Sequence, residues 1–236
     1  MNFFHHAITL FALSQFLFGC NNSDAEMADS NFDSQSEEMN ASESNEIDLW
    51  NRIENWTNDN AKDVDFGLNP GATEEDFQSL ENVIQAELPS DFKAFYRIHN
   101  GQSEDIFTQG LVDGEVLLST KQIEAEWKIW NDFIENDSDA RNTKSDPQLG
   151  IKSDWWNKLW IPITSAGTGD FTCIDLDPAP EGKSGQIIRM IHDDTYRELY
   201  SSSFSEWFRS YVEGLEAGGY VYSDDWGGIV SKEYVE

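Results

Sequence analysis

Two observations predict an α+β fold with a mostly antiparallel sheet packed by helices. Apolar residues recur at helical spacing from Ile47 to Ile134, and from Leu159 the period shifts toward two. A third observation bounds the size. The chain has 236 residues, 39% hydrophobic and 13% aromatic, enough to bury one core and suited to one domain with tails.

Ile47, Trp50, Ile53 and Trp56 mark a first helix, and Gly67–Gly71 breaks the chain. Thr73 caps a second helix with acid in its first turn and Phe77, Leu80, Val83 and Ile84 as its stripe. Leu88-Pro89-Ser90 opens a third, burying Phe92, Phe95, Tyr96 and Ile98 and stopping at Asn100-Gly101. Residues 111–118 read as a short strand. Ser119–Glu135 reads as a helix with Ile123, Trp127, Trp130, Phe133 and Ile134 inward, and Asn136–Asp154 as a polar loop. Leu159–Ile163, Phe171–Leu176, Gly185–Ile191 and Arg197–Tyr200 alternate between Gly, Asp and Pro clusters and predict strands. Ser203–Leu215 closes the pattern as a helix, with small strands expected at Tyr220–Tyr222 and Gly228–Val230.

Charge excludes whole classes of partner. Against 45 Asp+Glu there are 15 Lys+Arg, a net −30, so no nucleic acid is expected to bind and no basic patch exists for an anionic lipid surface. The acidity points to a basic partner or simply to solubility.

Residues 1–20 carry no Asp, Glu, Lys or Arg, and their apolar run is too short to span a bilayer. The run ends in Leu17-Phe18-Gly19-Cys20, which resembles a bacterial lipoprotein box. That resemblance implies cleavage after Gly19 and lipid on Cys20. The n-region has His5 and His6 where Lys or Arg is usual, and Phe18 is bulky; an ordinary secretory signal is the other reading. Residues 21–46 hold eight acidic residues and no basic one, the composition of an extended, disordered tether. Residues 1–19 are thus expected to be a signal peptide, 20–46 the lipidated Cys20 and its tether, 47–222 the folded domain and 223–236 a C-terminal tail. Cys173 is left as a single buried thiol.

The searches for chemistry return structural readings. His99 and His192 have no triad or metal spacing, and Asp170, Asp175 and Asp177 lack the calcium-loop pattern, so no metal or cofactor is expected. Gly167-Thr168-Gly169-Asp170 lacks the Lys of a phosphate loop and reads as a tight turn. Adjacent Trp155 and Trp156 on an extended segment point to opposite sides, which leaves one available as an interface anchor.

Leu88-Pro89-Ser90-Asp91-Phe92, followed by Tyr96 and His99-Asn100-Gly101-Gln102, resembles the signature of the SUKH superfamily, nearest its Smi/Knr branch. Trp160-Ile161-Pro162-Ile163, Gly167–Asp170, Cys173–Pro178, Gly185–Ile188 and Ser203–Phe208 follow in the order that family shows. The resemblance implies an α+β protein-binding module without catalytic residues. Many bacterial members resemble immunity proteins that neutralise toxins, and others act as adaptors. The expected function is a lipid-anchored immunity protein at the cell envelope, secreted if Cys20 carries no lipid, with a basic toxin domain as partner. The alternative is an envelope adaptor that binds a peptide or a cell-wall-associated protein. The expected partner-binding residues are Trp155, Trp156, Trp160, Gly167, Gly169, Asp170, Asp175 and Asp177.

Overall fold

The computed structural model describes residues 44–105 and 108–235. The expected signal peptide, Cys20 and the tether up to residue 43 lie outside the described residues. Helix α1 runs over residues 44–60 and buries Leu49, Trp50 and Ile53. It starts before Ile47, where the tether was expected to end. The reason is Glu46, which is fully buried and accepts a hydrogen bond from Ser205 Oγ at 2.5 Å. That carboxylate lies at the N-terminal turn of the closing helix, where the helix dipole favours it.

Helix α2, Glu74–Ile84, is capped as its sequence predicts: Thr73 and Asp76 exchange hydrogen bonds in a capping box, and Phe77, Leu80 and Ile84 are buried. Helix α3, Ser90–Tyr96, stops short of Asn100-Gly101. Gly101 instead makes a tight turn at φ +61°, its Cα so close to Leu118 that a Cβ would sit 2.5 Å from the carbonyl oxygen. Strand β1, Val116–Leu117, is shorter than expected because Val112 and Glu115 bond each other across a turn. Helix α4, Thr120–Asn136, begins on a Ser119–Gln122 capping box. The stretch expected to be loop holds a short helix α5, Ser138–Asn142, and strand β2, Asp146–Pro147. The Asp137 side chain caps α5. Strand β2 exists only through its parallel pairing with a strand some fifty residues later, which no local pattern announces.

Strands β3 (Trp160–Pro162), β5 (Phe171–Asp175), β6 (Gln186–Met190) and β7 (Tyr196–Ser201) form antiparallel pairs, and β2 adds to the β7 edge in parallel. Strand β4, Thr164–Ser165, follows β3 and pairs with β1. Alternation sorts the side chains onto two faces. On one face Trp160, Phe171, Cys173, Ile188 and Met190 make a core with Trp127, Trp130 and Ile134 of α4. On the other, Ile161, Ile174 and Ile187 sit in one register row under the aromatic core of α1, α3 and the closing helix α6, Phe204–Glu216. Trp50, Phe92, Phe95, Phe204 and Phe208 stack there at centroid distances of 4.2–6.1 Å.

The chain ends in a hairpin of β8, Tyr220–Ser223, and β9, Gly228–Ser231, then a 3₁₀ turn, Lys232–Tyr234. The segment 223–236, expected as a tail, is therefore part of the folded unit up to at least Ser231: Gly228, Ile229 and Val230 are buried. Gly228 packs backbone to backbone on Gly110, and Gly110, Gly114 and Ile229 exchange main-chain hydrogen bonds of 2.7–2.9 Å. Among the described residues no helix is long and apolar enough to cross a membrane.

Candidate functional site

The sheet face that buries Ile161, Ile174 and Ile187 is covered at only one end. Its next row, Thr172–Arg189–Glu198, lies in register across β5, β6 and β7 and is left open. Helix α6 passes on one side with Trp207 and Tyr211, and the C-terminal hairpin and the 3₁₀ turn after it stand on another with Tyr220 and Tyr234. The result is a groove of about 490 Å³. Tyr200 of β7, two residues beyond Glu198, continues the same face and is 46% exposed.

One ion pair organises the floor. Arg189 Nη1 lies 2.5 Å from Glu115 Oε1, both side chains being largely covered, and Thr164 donates its hydroxyl to the same carboxylate. Burial pushes the Glu115 carboxyl upward, and the guanidinium opposite opposes that shift. With Arg189 thus engaged, Asp113 and Glu198 give the groove an excess of negative charge. Burial also pushes the Tyr200 phenol up to about 12, so it stays neutral and can donate a hydrogen bond. Tyr211 spends its hydroxyl on the Leu111 carbonyl. Tyr234 extends the aromatic wall outward, stacked on exposed Trp226 at 6.0 Å.

The residues expected to bind a partner do not gather here. Gly167, Gly169 and Asp170 share the turn that leads into β5, while Asp175 and Asp177 lie at its other end. Trp160 and Asp175 are fully buried and Trp156 nearly so, so a partner docking on the folded domain does not touch their side chains directly. Their work is internal. Asp175 accepts from Gln186 Nε2 at 2.8 Å and from the Asp177 amide at 2.9 Å, and burial lifts its carboxyl to about 6. Asp177 is tied to Lys152 and Asn157 and fastens the loop before β3. Trp155, half-buried, lies under the guanidinium of buried Arg197 at 5.1 Å, and its carbonyl accepts from Arg197 at 3.0 Å. Asp170 receives both the backbone amide and the ring Nδ1 of His192, and that bond raises the His192 pKa. Asp193 completes a group of three ligand-type atoms within 4.8 Å of one another, a juxtaposition the linear sequence does not reveal.

A family model described as "SMI1 / KNR4 family (SUKH-1)" matches residues 71–210, more than half of the chain. The chain belongs to that family. Among similar proteins, "KNR4/SMI1 homolog 2" of Debaryomyces hansenii is 29% identical over 73% of the chain and 36% of its own length. "Cell wall biosynthesis/cell cycle regulator smi1" of Schizosaccharomyces pombe is 26% identical over 75% of the chain and 37% of its own length. "Cell wall assembly regulator SMI1" of Saccharomyces cerevisiae is 25% identical, with coverages of 83% and 46%. The chain thus spans between a third and a half of the length of these relatives. The groove floor falls inside the SMI1/KNR4 match and the hairpin wall outside it.

The motif residues of this SMI1/KNR4 domain have structural work to do. Asp91 Oδ2 accepts the Ser205 amide at 3.0 Å and so ties α3 to the start of α6. Tyr96 donates to the Leu118 carbonyl at 2.8 Å. Asn100 Oδ1 accepts the Thr120 amide at 2.9 Å at the start of α4. Gln102, fully buried, bridges four main-chain groups, on Phe66, Gln109, Leu111 and Leu117. The groove residues Glu115, Arg189, Glu198 and Tyr200 escaped the sequence reading. Only the alternation Tyr196-Arg197-Glu198-Leu199-Tyr200 hinted at an open polar face.

Proposed function

We propose that this SMI1/KNR4 domain is a non-catalytic adaptor that holds a protein partner at the cell envelope, with the groove between β6, β7, α6 and the C-terminal hairpin as its docking surface. The observation that carries the reading is the open half of the sheet face. It combines exposed aromatic edges with a pre-set ion pair, a pattern that suits a protein ligand. The names of the relatives, regulators of cell-wall assembly and biosynthesis, favour the adaptor over the narrower toxin-neutralising reading. Attachment rests on Cys20, whose expected lipid would hold the acidic chain at a membrane.

In-cell photo-crosslinking from position 200 tests the docking surface. A discrete partner captured there, and not from position 135 on α4, is the expected result. Identical capture from both positions, or none from either, would overturn it. Cys20→Ser should move the protein from the membrane to the soluble fraction with its fold intact; retention after signal cleavage would remove the anchor from the proposal.

A further inference from the structure

We infer that the groove takes an arginine-bearing extended segment of a partner protein, the guanidinium lodging against Glu198 between the rings of Tyr200 and Tyr234. The inference rests on the adaptor reading and names the chemistry of its partner. Three carboxylates line the groove, Asp113, Glu115 and Glu198, against the single guanidinium of Arg189. Arg189 is already held by Glu115 at 2.5 Å, so an anionic ligand finds no free positive charge and meets two carboxylates. A cation meets the opposite: unneutralised carboxylate and the faces or edges of tyrosine rings, with Trp226 stacked behind Tyr234.

The other occupants fail on charge. The chain's own segment 21–46 contains eight acidic residues and no basic one, and a second copy brings another net −30. A divalent ion requires converging ligand atoms, and among the described residues the group that supplies them is Asp170, His192 and Asp193, none of which lines the groove. Arginine is favoured over lysine because its flat, weakly hydrated guanidinium stacks on a ring while still bonding a carboxylate. The extended form follows from the floor, a row of side chains across three strands with α6 and the hairpin as walls.

The test uses the full chain and a fluorescein-labelled Gly-Arg repeat peptide, with Gly-Lys and Gly-citrulline peptides of equal length, followed by anisotropy at near-physiological salt. The arginine peptide should bind more tightly than the lysine peptide, and the citrulline peptide should not bind. The pair Glu198→Gln/Tyr234→Ser should weaken arginine-peptide binding about tenfold. The pair Asp132→Asn/Glu135→Gln on α4 removes more charge and should change it less than about twofold. All four side chains are exposed to a third or more, so the fold should survive, and circular dichroism checks it. Equal weakening by both pairs, or equal affinity for arginine and lysine peptides, would mean diffuse attraction to an acidic surface and would overturn the inference. A partner captured at position 200 that binds Glu198→Gln/Tyr234→Ser undiminished would also overturn it, while leaving the adaptor reading intact.

Discussion

Gln102 shows how one side chain can hold a fold without touching any ligand. Its amide donates to the Phe66 and Gln109 carbonyls, each at 2.7 Å, and its oxygen accepts the Leu111 and Leu117 amides. Gln102→Ala strands these main-chain groups in the interior, and chemical denaturation should show a loss of about 3 kcal/mol or more. A loss no larger than that of an ordinary surface substitution would refute the bridging role. Asp175 makes a second, pH-dependent case. Its folded pKa of about 6 lies above the ordinary aspartate value of 3.8, so between those values the folded state holds more protons than the unfolded one. Raising the pH through this window therefore costs stability, and the cost is complete above about 6. In Asp175→Asn that dependence disappears. The stability of the variant relative to wild type should rise by about 2–3 kcal/mol between pH 4 and pH 7. Parallel stability curves would contradict it.

At the scale of elements, the C-terminal hairpin decides whether the groove has a second wall. Gly228 and Gly110 meet so closely that a Cβ on Gly228 would lie 2.3 Å from the Gly110 carbonyl oxygen. Neither backbone can retreat easily, because each is hydrogen-bonded across the contact. Gly228→Ala should therefore lever the hairpin off the domain, with a stability loss of about 2–4 kcal/mol. The Gly114 and Ile229 amides should exchange faster, and arginine-peptide binding should fall although no groove side chain has changed. Unaltered exchange at these two amides would show that the hairpin absorbs the methyl. Contacts with distant elements also explain why α1 and β9 reach beyond the expected domain limits: Glu46 is buried against Ser205 of α6, and Ile229 is buried where it bonds Gly110 and Gly114.

For the whole molecule the dominant quantity is the net charge of −30. Like charge opposes compaction and is screened within about 8 Å at physiological salt, against about 30 Å at 0.01 M. Raising sodium chloride over that range should lift the thermal midpoint by about 3–6 °C in calorimetry. Association with a basic partner should respond with the opposite sign, its on-rate falling as salt rises. A midpoint that drops with salt would mean that attractive pairs such as Arg52–Glu216 outweigh the repulsion. The two responses together separate the charge that burdens the fold from the charge that serves recognition.

The sequence by itself determined the α+β class, the capped helices and the strands β5, β6 and β7. Each is set by an apolar period or by a cap within four residues, such as Thr73 with Asp76. It also determined the family, because Leu88–Gln102 carries side chains whose bonds hold α3, α4 and α6 together. Tertiary structure alone decided which of the two sheet faces stays open. Strand alternation says that Arg189 and Ile188 point opposite ways, but not that α4 packs over Ile188 while α6 covers only half of the other face. It likewise turned Trp160 and Asp175 from expected contacts into buried supports, and it joined Glu115, Arg189 and Tyr234 across more than a hundred residues. Local periodicity records which side of an element is apolar. Which element arrives to cover it depends on chain contacts that no short window of sequence contains.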